Sequence, residues 1–363
     1  MRKLHFLDVG HGDSIIVELL GDHGSTFGLV DCCKKREAGQ DVNVPLRKLQ
    51  SLGAAHLGFV ALTHPHADHF EGLSEILEVF RGRVSALFTY PIDKEPGRIR
   101  RLAENYRRHL ESTDSETVSR QILEFISILK FAKSCPIWES KSGRRSLMLA
   151  PGFEAVLVNS VMPPDSVKGK HFTDIDKGVL KIEDEKANEL SLAIEIEYAG
   201  NLIMLGGDAT HGNWKYQHAR LAFPNAMIAK LPHHASRHDC TPEVLDALFG
   251  PQGAAAGQIA VISAEGSRHR PHESVLKGLY ERGVKPYCTN LSSLCAGVRP
   301  RALMTNPAID PVLNRFINAS SEGVATPKKP CQGDITVSIA SDGVVSVARQ
   351  FSVACAYRDE LPF

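Results

Sequence analysis

The chain opens on short apolar runs separated by glycines: Leu4 to Val9, Ser14 to Leu20 and Thr26 to Val30, with Gly10, Gly12, Gly21 and Gly24 between them. Runs of this length, bounded by turn formers, predict strands. Leu57 to Leu62 predicts another, and it delivers the chain into Thr63-His64-Pro65-His66-Ala67-Asp68-His69. Leu73, Ile76, Leu77 and Phe80 then recur at helical spacing, so this loop joins a strand end to a helix start.

From about Pro91 to Lys133 the pattern turns polar and arginine-rich, then periodic in Val118, Ile122, Phe125, Ile126 and Leu129, which predicts a helical insertion over 91–133. Leu190, Leu192, Ile194, Ile196 and Tyr198 alternate with Ser191, Ala193, Glu195 and Glu197, the period of a half-buried strand. A Gly200-Asn201 turn and Leu202 to Leu205 complete a hairpin ending at Gly206-Gly207-Asp208. Ala226 to Leu231 and Ile259 to Ile262 predict further strands with helices between and after them, and a helix should start near His272 and stop near Gly283. Residues 291–329 lack periodicity and read as a loop-rich insertion, before a closing hairpin of Asp334 to Ala340 and Val344 to Gln350.

Strands and helices mixed along all 363 residues predict a layered α/β fold, one domain over 1–363 rather than the two or three that length alone allows. The apolar share of 43% and charged share of 23% exclude a disordered or membrane-embedded chain. Because 42 basic and 42 acidic residues cancel, net charge neither announces nor excludes a nucleic-acid partner. No apolar run is long enough to span a bilayer, and the start reaches Asp8 before a signal-peptide core could form, so a cytoplasmic location is expected. The eight cysteines are scattered as reduced thiols would be.

Four possible metal ligands within six residues, His64-x-His66-x-Asp68-His69, are costly to cluster without a cation to satisfy them. Asp208 closes an apolar strand after two glycines, His233-His234 follows Pro232 at the end of another, and His272 lies past a third. Singly, each has an ordinary reading: Asp208 as a turn former, His234 as a surface residue, His272 as a helix cap. Together, at successive strand ends, they supply the seven side chains that two divalent ions require: His64, His66, Asp68, His69, Asp208, His234 and His272. Imidazoles mixed with carboxylates favour zinc, with manganese as the alternative. Asp8, Asp13 and Asp31 sit in early strand-end loops and are candidates to accept hydrogen bonds from ligand histidines. Ser236 is a candidate substrate contact.

The loop His64 to His69 resembles the HxHxDH motif of metallo-β-lactamase-fold hydrolases. Phe6-Leu7-Asp8-Val9-Gly10-His11-Gly12-Asp13-Ser14, Leu29-Val30-Asp31, Asn188 to Leu192, Gly206-Gly207-Asp208, Pro232-His233-His234-Ala235-Ser236, Arg270-Pro271-His272 and Gly333 to Val337 are similar to the branch holding the soluble domain of the competence protein ComEC. The resemblance implies an αββα sandwich, two mixed β-sheets between helical layers. It also implies a two-metal phosphodiesterase or nuclease working through a hydroxide between the ions, with Asp68 and Asp208 catalytic. His64, His66 and His234 would hold one ion, Asp68, His69 and His272 the other, and Asp208 would bridge them, with His233 the weaker ligand candidate. Two positions depart from the branch: His11 stands where it usually has glutamine, and Ala235 where it usually has glycine. His11 is expected to line the site or sit under it, and Ala235 matters if its position needs a positive φ.

Arg98, Arg100, Arg101, Arg107 and Arg108 could track a nucleic-acid backbone or form a solvated helix face. The same ligands would also serve cleavage of a non-phosphate ester, amide, lactone or thioester. A third reading is a subunit with a structural metal whose 91–133 insertion docks on another protein. No membrane partner is expected.

Overall fold

The computed structural model describes residues 2–21, 24–89, 96–112, 115–132, 137–139, 157–179, 185–221, 225–251, 257–264, 270–290, 333–351 and 355. The first half runs through β1 (Arg2–Phe6), β2 (Ile15–Gly21), β3 (Gly24–Val30), β4 (Lys35–Glu37), β5 (Gln40–Val42), α1 (Val44–Ser51) and β6 (Leu57–Leu62). It continues with α2 (Ala67–Phe70), α3 (Leu73–Val79), β7 (Leu87–Thr89), α4 (Pro96–Glu111), α5 (Glu116–Ala132) and β8 (Ile137–Glu139). The second half adds β9 (Leu157–Ser160), α6 (Asp165–Asp176), α7 (Glu185–Asn188), β10 (Ile194–Tyr198), β11 (Asn201–Leu205), α8 (His211–Leu221) and β12 (Ile228–Lys230). It closes with α9 (Pro242–Phe249), β13 (Ile259–Ile262), α10 (Glu273–Glu281), β14 (Lys285–Cys288), β15 (Ile335–Ile339) and β16 (Val345–Arg349).

Among the described residues the strands form two large mixed sheets, in the orders β16-β15-β1-β2-β3-β6-β7-β8 and β14-β13-β12-β11-β10-β9, beside the small β4-β5 ribbon. Each large sheet is antiparallel on one side and parallel on the other. Alternation along the strands builds the layers. In β2, Ile15, Val17 and Leu19 pack between the sheets with Ile194, Ile203 and Val261, while Ile16 faces the helices. In β13, Ile259 and Val261 face inward, and Ala260 and Ile262 pack outward with Trp214, Leu245 and Leu279 of α8, α9 and α10. Helices α1, α3, α4, α5 and α6 cover the other sheet through Leu49, Ile76, Leu102, Phe125 and Ile175. The result is an αββα sandwich, two mixed sheets between helical layers, the architecture that the resemblance in the sequence implies. No helix among the described residues is long and apolar enough to cross a membrane.

The expected helices over 91–133 are α4 and α5. The strand expected from Leu190 starts only at Ile194, because the preceding residues bond elsewhere: the Ser191 hydroxyl accepts from Asp208 N and Leu192 N donates to Thr63 O. The hairpin turn is Ala199-Gly200, at φ 48° and 74°, one residue earlier than read, and Asn201 already pairs with Tyr198. The 291–329 stretch lies outside the described residues.

Candidate metal centre

β1, β3 and β6 run parallel to one another, as do β11, β12 and β13, and the loops leaving their carboxyl ends meet at one end of the sandwich. Such strand ends are where open α/β sheets bind ligands. After β6, Thr63 leads into the histidine loop, and the single turn of α2 holds Asp68 and His69. Asp31, at the end of β3, locks this loop. Its carboxylate accepts Thr63 N at 2.8 Å, Thr63 Oγ1 at 2.7 Å and His69 Nδ1 at 2.7 Å. A proton on Nδ1 leaves Nε2 of His69 as the ligating atom. The loop after β1 reaches the same place because Gly12 is bare: at its φ of 121°, an added Cβ would sit 2.3 Å from Asp68 O. Asp13 N donates to Asp68 O at 3.1 Å, which clamps the two loops together.

The second sheet brings its own donors. Gly207, at φ 51°, passes so close to Ser191 Oγ that a side chain there would overlap it, and Asp208 follows with its N–H on that hydroxyl. Past β12, His233, His234 and Ala235 adopt φ of 48°, 53° and 62°, three left-handed residues in succession. Each costs about 1–2 kcal/mol against ordinary backbone, a strain of the kind that structures store at functional sites. Ala235 thus occupies a position that needs positive φ, where the resembling branch has glycine.

The ligand atoms lie farther apart than the roughly 2.7–2.9 Å of a charge-assisted hydrogen bond and at the spacing of ligands around a common ion. His69 Nε2 is 3.5 Å from Asp208 Oδ1 and 3.6 Å from Asp68 Oδ2, and His234 Nε2 is 3.5 Å from Asp68 Oδ2. Ligands about 2.05 Å from a tetrahedral zinc are about 3.3 Å apart. His69 Nε2, His234 Nε2 and Asp208 Oδ1 are buried without a hydrogen-bond partner. Groups in that state are costly unless a cation completes them, so the residues fit a divalent metal. Among the described residues three groups emerge: His64 with His69 and Asp208, His11 with Asp68 and His234, and Asp13 with Asp31 and His69, the last already tied by the Asp31–His69 hydrogen bond. This grouping cuts across the division that the resemblance implies. His66 lies beside them with Nδ1 2.9 Å from His64 Nε2.

His272 is not brought into any of these groups. It is the N-cap of α10, its Nδ1 accepting Ser274 N at 3.2 Å, so the helix-cap reading describes its side chain. Asp8 pairs with Lys35 at 2.7 Å and accepts from Asn290 at 3.3 Å, so that among the described residues its carboxylate is taken by these groups rather than by a ligand histidine. Asp13 lies 4.0 Å from His69 Nδ1 and 3.8 Å from His234 Nδ1. His233 Nε2 sits 3.8 Å from Asp208 Oδ2, and its Nδ1 bonds Asp239 at 2.5 Å. Buried Ser236 accepts His238 N at 3.3 Å. His11 lines the site at its open side. On α4, Arg98 and Arg101 share Asp176 of α6 and Arg100 pairs with Glu104, so two carboxylates face three of the five arginines.

Sequence reasoning missed Lys230 and Asp239. Lys230 is fully buried, ion-paired to Asp13, 3.8 Å from Asp208 and donating to Gly207 O at 3.0 Å. Its signal was a lysine closing the apolar strand Ile228-Ala229-Lys230. Burial works to lower its pKa, but Asp13 and Asp208 outweigh this and hold it above the usual lysine value. Burial likewise works against a charged His69, yet Asp208, Asp68 and Asp31 lift it well above the ordinary histidine range. For Asp208, burial works upward and the neighbouring His69 and His234 prevail, holding it well below the ordinary carboxylate range. Burial lowers His64 and His66.

No family profile and no curated protein matches this chain. Among solved structures it is similar to a mutant of the CmlA β-hydroxylase, at 13% identity and a TM-score of 0.41, over 80% of this chain and 52% of that one. It thus spans about half the length of that protein. It is also similar to Igni18, a metallo hydrolase from the hyperthermophilic archaeon Ignicoccus hospitalis, at 13% identity and a TM-score of 0.35, over 78% of this chain and 82% of that one.

Proposed function

We propose that the protein is a metal-dependent hydrolase and that the bonds it cleaves are phosphodiesters. The observation behind this reading is the set of imidazole and carboxylate ligands that face one another at the strand ends of both sheets at ligand spacing, with His69 Nε2, His234 Nε2 and Asp208 Oδ1 buried and without a hydrogen-bond partner. Two divalent ions held there, zinc or manganese, would lower the pKa of a water and offset charge on a phosphoryl oxygen. The chain's own groups do the rest. Asp31 aims His69, Lys230 balances Asp13 and one side of Asp208, and Asp239 aims His233. His233 Nε2, 3.8 Å from Asp208 Oδ2, would act as general acid toward the departing oxygen from the doubly protonated ring, whose Nδ1 bonds Asp239.

The centre opens to solvent where the His11 side chain is 45% exposed and that of Asp68 is 22% exposed. A substrate can enter there, which favours an enzyme over a sealed structural metal. The segments resembling the ComEC branch support the phosphodiester.

The test is metal content by elemental analysis together with hydrolysis of bis-p-nitrophenyl phosphate, labelled DNA and labelled RNA, with Asp208→Ala as control. Two ions per chain and cleavage abolished in the variant are expected. Bound metal without cleavage of any phosphodiester would overturn the substrate assignment in favour of another ester or an amide, and absence of metal would overturn the whole reading.

A further inference from the structure

We propose that His11 is a metal ligand, completing a His11–Asp68–His234 triad in the place that the resemblance gives to His272; this rests on the reading of the protein as a metal-dependent hydrolase. His11 Nε2 is 3.3 Å from Asp68 Oδ2, which is itself 3.5 Å from His234 Nε2. Both separations match the edge of about 3.3 Å between ligands of a tetrahedral zinc, and both exceed the roughly 2.7–2.9 Å of a charge-assisted hydrogen bond. The His11 and His234 rings lie 4.9 Å apart, so the imidazoles flank one position.

The backbone delivers His11 there by construction. Gly10 and Gly12 on either side take φ of 79° and 121°. Gly12 abuts Asp68 O and Cys33, Asp13 N is bonded to Asp68 O, and Cys33 Sγ donates to His11 O at 3.1 Å. The loop is therefore fixed to the element that carries Asp68, and His11 cannot drift from it without breaking these contacts. Where the branch has glutamine, with a weakly ligating neutral amide, this chain has an imidazole, a strong ligand for zinc.

His272 shows the converse. Its Nδ1 is engaged by Ser274, 3.2 Å from the N–H that it caps and 2.8 Å from the hydroxyl, and the ring joins none of the donor groups of the centre. Two histidines and one aspartate would hold this ion with a position left open, as catalytic sites require.

The experiment loads the full-length chain and its His11→Gln, His11→Ala and His272→Ala variants with zinc, then with cobalt(II). It reads ions per chain, affinity by chelator competition and the visible cobalt spectrum, with circular dichroism reporting the fold. The His11 variants should retain one ion tightly and lose the second or weaken it at least about tenfold, the lower range for disturbing such a site. Their cobalt bands should change, and His272→Ala should keep both ions. His11→Gln places the branch's own residue at a half-exposed position, so it tests the ligand even if His11→Ala misfolds. Two ions of unchanged affinity in the folded His11→Gln variant would overturn this inference alone. Loss of the second ion in His272→Ala would overturn the replacement of His272, and a parent chain that binds no metal would overturn both this inference and the hydrolase reading.

Discussion

Two buried imidazole–carboxylate pairs in this molecule behave in opposite ways. Within the first sheet, on β1, His5 Nε2 meets Glu18 at 2.9 Å and Nδ1 meets Thr336 Oγ1 at 3.1 Å, so both ring nitrogens are used. Burial lowers the pKa of His5, and Glu18 does not reverse it, with Lys48 and Lys3 pushing the same way as burial. At the strand ends, His69 meets Asp31 through Nδ1 but leaves Nε2 without a partner, and its pKa is driven up. The first pair is closed, with its hydrogen bonds and charges balanced by protein groups. The second belongs to a cluster of Asp13, Asp31, Asp68 and Asp208 against which, among the described residues, Lys230 is the lysine or arginine within ion-pair reach. A fold that balances one buried pair and leaves the other negative and under-bonded has left room for a cation.

The largest effect that would break this contrast is at Lys230. Lys230→Met leaves Asp13 and Asp208 buried without a fixed counter-charge, and we expect about 3–5 kcal/mol of stability to be lost in urea with chelator present. A loss below about 1 kcal/mol would show that the carboxylates are not held charged, since even exposed ion pairs reach that size. Next, zinc at a hundred times its Kd should stabilise the chain by about 2.7 kcal/mol, seen as a rise in Tm that chelator reverses and Asp208→Ala abolishes. An unchanged Tm would remove the distinction between the two pairs.

Asp31→Asn keeps a residue tolerant of the φ of 57° at that position. It weakens the acceptor that fixes the His69 tautomer, and metal affinity in chelator competition should fall about 10–100-fold. The smallest effect is at His5. Its folded pKa lies below its unfolded value, so the neutral ring contributes stability that is complete above the unfolded pKa of about 6.5 and is lost as pH falls below it. His5→Gln should flatten that slope between about pH 7 and pH 5; a slope unchanged by the substitution would mean that His5 titrates alike in both states.

The half of the centre built by β6 and its loop was legible because its information is local: an apolar strand, four candidate ligands in six residues, then a helical period. Asp208 and His234 were legible by position, each after an apolar run. Lys230 and Asp239 were not, because their meaning lies in contacts with residues that sequence places elsewhere. Three-residue strands such as β4, β5 and β7 are too short to show a period. His272 was open to two readings, and only the geometry of α10 separates capping from ligation. Nothing in His233-His234-Ala235 demands a left-handed backbone; the hint was the glycine that the resembling motif carries at the position of Ala235.

Donors of the centre come from loops of both sheets, and Asp208 follows Asp68 by 140 positions in the chain. Contacts of such separation form late, since the intervening chain must first be gathered. Neither sheet alone presents a complete set of donors, so an ion cannot template the early strands. Metal capture in a refolding experiment should therefore lag behind the recovery of secondary structure and mark the moment when the two halves close on each other.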